Sequence, residues 1–375
     1  QLQKNQQLTY LQYVDSPIRR ASQNQTTDTH CQNSSRATKN RTILGYFSRP
    51  VYLQTSFFSD TPHRQITCTF TIHSPAWQKF NMEYWQALVL GVIEGITEYL
   101  PISSTGHLIV AQRLMGIGVG SPESKAAADA FAVCIQGGAI LAVLGLYSKR
   151  VLQMIRGVFG QDAEGLKLAI AIIAGFMPAA VIGALLSHWI KAHLFGLQPI
   201  IGAWIIGGIA ILLTAWWRKK NPTIGGGKEL TELTWQLALI IGLLQCVAMC
   251  PGTSRSLMTI CGGVLVGLSL RAAVEYSFLL GVLTLTAATA KEAIEKVKDL
   301  DPAYNTLFGG TKLMLHEYGT TPLLIGIIAA AVSAAVAVKW LVSFLQSHGL
   351  SAFGWYRIAL GFTIGGLIAA GVLTA

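Results

Sequence analysis

Apolar runs near the 20 residues needed to cross a bilayer recur along the chain from residue 83 onward. Full spans are readable at Ala130–Tyr147, Leu166–Ser187, Gln198–Trp217, Arg271–Ala290, Pro322–Leu345 and Ala352–Ala375. Two shorter pairs interrupt the series. The first is Glu83–Leu100 with Ser103–Met115, broken at Pro101, and the second is Leu233–Cys250 with Ser254–Gly267, broken at Pro251-Gly252. Proline removes a helical hydrogen bond and glycine admits backbone that other residues avoid, so each break has a physical cause.

The two pairs repeat each other. Pro101-Ile-Ser-Ser104 aligns with Pro251-Gly-Thr-Ser254, and Gly91-Val-Ile-Glu94 aligns with Gly242-Leu-Leu-Gln245. Each unit, 82–217 and 233–375, is a broken pair followed by three spans. If each pair enters and leaves on one side, three spans per unit turn the second copy upside down. The expected fold is an all-α integral membrane protein with an inverted-topology repeat, its re-entrant broken pairs meeting near the midplane. Lys149, Arg150 and Arg156 mark one loop, and Arg218, Lys219, Lys220 and Lys228 mark another two spans later, so both are expected on the cytoplasmic side. The segment 291–321 then falls outside, the first pair opens outward and the second inward. Irregular backbone at membrane depth must be buried in protein or line a wet cavity, so the pairs should face each other.

Composition agrees with this class. The chain of 375 residues is 52% hydrophobic and 12% charged, against about 25% charged for soluble domains. More than half of the net charge of +10 lies in residues 1–81, a Gln-, Asn-, Ser- and Thr-rich stretch that reads as a disordered extension. Its acid-poor composition fits an organelle transit peptide. It equally fits translated upstream DNA with Met82 as the true start, the reading favoured here. The basic balance therefore does not point to nucleic acid. The six cysteines show no paired framework, and Cys246, Cys250 and Cys261 sit in apolar helix as small hydrophobes.

The chemistry concentrates at the breaks. Glu94 and Glu98 are four apart on one helical face, and carboxylates in a membrane helix are costly without a task or a partner. They read as a general base, a divalent-metal ligand pair, or both, against a structural pair satisfied by serines and Arg255. Ser103, Ser104 and Thr105 can cap the helix that follows Pro101; one of the hydroxyls is a candidate nucleophile, with His107 three residues beyond Ser104 placed to activate it. Ser254, Arg255 and Ser256 open the matching helix, and Thr259 falls near the same face. An arginine at membrane depth needs an anion, either Glu94, Glu98 or a ligand phosphate. Two helix N-termini converging with it would clamp a phosphoryl group. Gly91 with Gly95, and Gly263 with Gly267, read as helix-packing positions. Gln136 and Glu275, at matching places in the two units, either line the cavity or bridge helices. Tyr356-Arg357 reads as an interfacial anchor rather than a headgroup contact.

GVIEGITEYLPISSTGH at 91–107 and PGTSRSLMT at 251–259 resemble the two signature regions of the BacA-type undecaprenyl-pyrophosphate phosphatases, and the likeness runs from Met82 to the C-terminus through QGGAILAV, EYSFLLGV and WYR. The resemblance implies a multi-pass enzyme of the bacterial inner membrane, its site opening to the periplasm. Such an enzyme hydrolyses undecaprenyl pyrophosphate to the monophosphate and inorganic phosphate, recycling the carrier for peptidoglycan synthesis, cell shape and bacitracin resistance. The family pattern carries over at Glu94, Glu98, Ser103, Ser104, His107, Ser254, Arg255, Ser256 and Thr259. It implies a divalent cation, Mg or Ca, which Glu94 and Glu98 could hold. Leu257 and Leu283 depart from the pattern, where a Gly and a Pro are common. The partner implied is undecaprenyl pyrophosphate in the bilayer, with a second copy of the chain a candidate and no nucleic acid.

The expected reaction has Ser104 attacking the terminal phosphorus, Glu98 or His107 taking its proton, and Arg255 clamping the phosphate. The alternative from another class is a polyprenyl-phosphate flippase or anion transporter, for which inverted repeats with broken helices are a known design. Transport does not need the hydroxyl–histidine–carboxylate set, so phosphate release discriminates the two. A membrane acid lipid phosphatase fits less well, because only its serine–glycine–histidine element has a counterpart at 104–107.

Overall fold

The computed structural model describes residues 53–55, 70–72, 82–194, 196–221, 227–294 and 304–371. Leu53–Thr55 (β1) and Phe70–Ile72 (β2) pair antiparallel as a unit of their own. The rest of the extension, and with it the reading of residues 1–81 as disordered, lies outside the described residues.

The second unit is helical. Its elements are α1 (Tyr84–Tyr99), α2 (Ser104–Leu114), α3 (Pro122–Leu146), α4 (Ser148–Val158), α5 (Ala163–Leu194), α6 (Leu197–Lys220), α7 (Trp235–Gln245), α8 (Arg255–Leu265), α9 (Leu270–Ile294), α10 (Gly309–Tyr318), α11 (Thr320–His348) and α12 (Ser351–Ala369). Six of them, α3, α5, α6, α9, α11 and α12, are long and apolar enough to cross a membrane. They correspond to the six spans read from the sequence, with ends shifted by several residues. Leu141, Leu185, Ile206, Val336 and Phe362 stand exposed on them, as lipid-facing positions would.

Two stretches expected as connections are helices. The basic loop after the first span is α4, whose Val151, Leu152, Met154 and Ile155 alternate at helical spacing with Lys149, Arg150 and Arg156. Its charges mask an apolar stripe of the kind that lies in a membrane interface. Within 291–321, Gly309–Tyr318 forms α10, packed on α3.

The breaks sit where Pro101 and Pro251-Gly252 place them. α1 ends at Leu100 in extended backbone, and α2 restarts from Ser103. On the other side a 3-10 turn, Cys246–Met249, leads from α7 to the break, and α8 restarts from Ser254. α1 packs along α11, where close approach depends on missing side chains. A Cβ on Gly91 would come within 2.8 Å of Ala329 Cβ, and one on Gly95 within 2.7 Å of Ala334 N. Gly263 likewise abuts Ala273, whereas Gly267 meets nothing and instead takes a positive φ at the turn into α9. Tyr99, Leu257, Ile260, Tyr276, Phe278 and Leu280 belong to one buried apolar cluster between the breaks, which fixes the polar residues around them.

Candidate active site

Each break turns on a strained serine. Ser103 has φ 74° and Ser254 φ 79°, a region that costs a non-glycine residue about 1–3 kcal/mol and persists only where surroundings enforce it. At Ser254 the side chain caps α8, accepting from Leu257 N at 3.3 Å. Ser103 makes no such cap. Its carbonyl instead accepts from His107 Nδ1 at 2.6 Å.

One clasp holds the two breaks together, and it is Arg357. The side chain is fully buried, and it donates to the carbonyls of Pro101 (3.2 Å), Trp204 (3.3 Å), Ala203 (2.8 Å) and Gly252 (2.9 Å). The interfacial anchor expected of Arg357 is therefore wrong. Main-chain carbonyls at both breaks need donors, and a five-donor guanidinium supplies them where water would not reach.

Ser256 Oγ adds a second link, donating to Leu100 O at 2.9 Å. Trp204 closes the far side: its Nε1 donates to Ile102 O at 3.1 Å, and its ring lies against Gly106, where a Cβ would come 2.8 Å from Cε2.

The chemistry lies across this frame. Ser104 Oγ donates to Glu98 Oε2 at 2.5 Å, and Arg255 Nη2 donates to Glu98 Oε1 at 3.2 Å. Glu98 thus joins a hydroxyl of the first break to the guanidinium of the second. Gln136 Nε2 also reaches Glu98 Oε2 at 3.4 Å, while its own Oε1 accepts from Thr289 at 3.0 Å. Gln136 accordingly belongs to the site. Glu275 does not: it pairs with Arg150 at 2.8 Å and bridges α4 to α9.

Arg255 is seated by groups from three helices. Nη1 donates to Ser277 O at 2.8 Å, and the guanidinium carbon stands 5.5 Å from the centre of the Tyr99 ring. Gly281 forms the floor of the seat, because a Cβ there would lie 2.6 Å from Arg255 Cζ and 2.8 Å from Nη2. Thr259 Oγ1 bonds Ser277 Oγ at 2.7 Å and donates back to Arg255 O at 3.0 Å, so it braces the seat rather than facing the carboxylates.

His107 bonds neither Ser104 nor Glu98. In the neutral ring Nδ1 donates to Ser103 O, which leaves Nε2 to accept from Tyr356 Oη at 2.8 Å, and the two rings stack 5.8 Å apart. Thr105 is exposed and shares none of these contacts. Glu94 is buried, and its Oε1 has no hydrogen-bond partner. Among the described residues no group of three or more His, Cys, Asp or Glu side chains gathers as a ready metal cage. A carboxylate oxygen left unpaired at full burial is nevertheless a costly feature that a cation would offset.

A family model described as bacitracin resistance protein BacA matches residues 87–363, which span both breaks, five of the six long helices in full and α12 up to residue 363. The chain belongs to the BacA family. The undecaprenyl-diphosphatase of Sorangium cellulosum is 40% identical over 280 residues, 75% of this chain and 85% of that protein. Undecaprenyl-diphosphatase 2 of Rhodospirillum rubrum is 40% identical over 279 residues, 74% of this chain and 93% of that protein. Undecaprenyl-diphosphatase 2 of Shewanella oneidensis is 41% identical over 281 residues, 74% and 96%. Within this BacA-family chain, the matched region contains each candidate site residue as well as Gln136, Ser277, Gly281, Tyr356 and Arg357, which complete the site in space.

Proposed function

We propose that the chain hydrolyses undecaprenyl diphosphate to undecaprenyl phosphate and inorganic phosphate, the activity named for the relatives it matches. The observation that carries the mechanism is the chain of contacts Ser104–Glu98–Arg255, at 2.5 and 3.2 Å. Ser104 Oγ attacks the terminal phosphorus while its proton passes to Glu98 Oε2. The new Oγ–P bond replaces the anhydride P–O bond, and undecaprenyl phosphate departs. Water then cleaves the phosphoserine, releasing inorganic phosphate and restoring the hydroxyl. Arg255 and the N-termini of α2 and α8 stabilise charge on the transferring phosphoryl group. His107 is tied on both ring nitrogens and holds the Ser103 turn, which favours Glu98 as the proton acceptor.

A divalent cation, Mg or Ca, fits the unpaired Oε1 of Glu94, with Glu98 beside it. Such ions are commonly held by one or two carboxylates and the substrate's own phosphates, so a complete protein cage is not required. Bound there, the ion would neutralise charge on the diphosphate.

The inverted-topology repeat is the architecture that best accounts for the element order. Both units run as broken pair, span, short helix and two further spans, with α4 and α10 in the same place and an 11-residue helix after each strained serine. The membrane is the bacterial inner membrane, and the site opens on the periplasmic side, opposite the Lys/Arg-rich ends. A flippase would have no use for the Ser104–Glu98 contact.

The test is phosphate release from undecaprenyl diphosphate by purified protein. Ser104→Ala and Glu98→Gln should each lose at least a hundredfold in kcat while keeping the wild-type thermal transition. Turnover by Ser104→Ala within tenfold of wild type would remove Ser104 as the nucleophile.

A further inference from the structure

A groove that mixes polar and aliphatic residues lies away from the broken helices, and the reaction does not use it. It has a volume of about 220 Å³ and opens where α6 and α11 end and α9 begins, and its lining combines the polar Ser269, Arg271 and Gln346 with aliphatic side chains that include Val342. This is the cationic end of the bundle. α6 finishes in Arg218, Lys219 and Lys220, and the main chain of Lys228 is pinned beside the groove by Lys228 N to Gly267 O (3.0 Å) and Ser269 N to Lys228 O (2.9 Å).

Among the described residues no carboxylate pairs with Arg271. Glu275, the carboxylate one turn along α9, is bound by Arg150 at 2.8 Å. Among the described residues Arg271 makes no hydrogen bond or ion pair, and it is exposed, as is the neighbouring Gln346 amide. Ser269 Oγ accepts from Ala272 N at 3.2 Å, which leaves its hydroxyl proton for a ligand. These donors stand beside aliphatic residues, of which Leu270, Val274 and Leu345 are buried and Val342 is half-buried.

We propose that this groove binds the headgroup of an anionic phospholipid from the surrounding leaflet. Arg271, Ser269 and Gln346 would bond the phosphate diester, and the first methylenes of an acyl chain would run over the half-buried Val342. Position and chemistry both select this occupant. The groove sits at the ends of three helices long enough to span, where headgroups lie, and basic recesses between spanning helices on the positively charged side are suited to anionic lipid heads. A volume of about 220 Å³ takes a phosphate with a few carbons, below the 300 Å³ or more that encloses a whole small ligand.

The full chain, purified in detergent, is titrated with phosphatidylglycerol and with phosphatidylcholine, and retained lipid is counted by native mass spectrometry. Phosphatidylglycerol should be retained preferentially, and Arg271→Gln should weaken that retention about tenfold. Arg271→Lys should weaken it less, and Val342→Phe should weaken it by filling the groove. Arg271 is exposed, so the thermal transition and phosphate release of its variants should match wild type; Val342 is half-buried against the core, so Val342→Phe can lower the thermal transition and the Arg271 variants decide the test. Equal retention of phosphatidylglycerol by wild type and Arg271→Gln would overturn the proposal, as would retention of phosphatidylcholine as strong as that of phosphatidylglycerol. Displacement of phosphatidylglycerol by equimolar inorganic phosphate would also overturn it, because the apolar wall would then be idle. Undecaprenyl monophosphate binding tenfold tighter than phosphatidylglycerol would reassign the groove to the carrier lipid.

Discussion

Gly281→Ala isolates the seat of Arg255 from every group that touches substrate. The added Cβ would lie 2.6 Å from Cζ and 2.8 Å from Nη2. Ordinary contact between such atoms is about 3.5 Å, so the guanidinium must retreat by about 1 Å. That shift pulls it from Glu98 Oε1, where the hydrogen bond is already 3.2 Å long. Displacement of about 1 Å in a positioned group costs on the order of a hundredfold in rate, equivalent to about 2.7 kcal/mol of barrier.

Folding should change less. Overpacking costs about 1–3 kcal/mol, and exchanging glycine for alanine inside a helix returns up to about 1 kcal/mol. The assay is phosphate release from undecaprenyl diphosphate, with thermal unfolding of each variant in the same detergent. The decisive comparison is the double variant. If Gly281 acts through Arg255, then Gly281→Ala should add nothing to the defect of Arg255→Ala. Multiplying defects, or wild-type turnover by Gly281→Ala alone, would refute the reasoning.

Tyr356→Phe removes the donor to His107 Nε2 and should lower kcat about five- to tenfold through a looser Ser103 turn, measured by the same assay. Arg357→Met keeps much of the volume but leaves carbonyls at both breaks without a donor; each orphaned group costs about 1–3 kcal/mol, so a fall in thermal stability of several degrees or failure to purify folded is expected. Glu94→Gln should raise the concentration of Mg or Ca needed for half-maximal turnover at least tenfold, and chelation by EDTA should then inactivate it at lower chelator than wild type.

The breaks, the spans and the division of polar residues between 91–107 and 251–259 were legible because they are local. Proline and glycine mark the breaks, apolar runs mark the spans, and charges at membrane depth mark themselves. What escaped notice depends on contacts between distant segments. Arg357 begins the last span, where an arginine ordinarily faces the interface, and only the folded chain brings it beneath both breaks. Gly281 is one glycine in an apolar helix, and its meaning is the guanidinium lying over it. Ser277 likewise braces that guanidinium from a neighbouring helix. The spacing of Ser104 and His107 suggested a direct pair. In the structure, the serine turns to a carboxylate six residues back and the histidine to a tyrosine 249 residues away. The helix α4 escaped because its three cations mark the end of a span, while its apolar stripe follows a 3.6-residue period and is too short to read as a span of its own.

The four carbonyls gathered by Arg357 also limit what the protein can do mechanically. Any motion that drew Pro101 away from Gly252 would strand a guanidinium and several carbonyls in a medium with no water to receive them, at a cost of several kcal/mol. The junction of the two breaks is thus a fixed pivot rather than a gate. Whatever opens to admit a long isoprenoid must do so between the helices around that pivot, and a cysteine pair linking the two breaks should leave turnover intact.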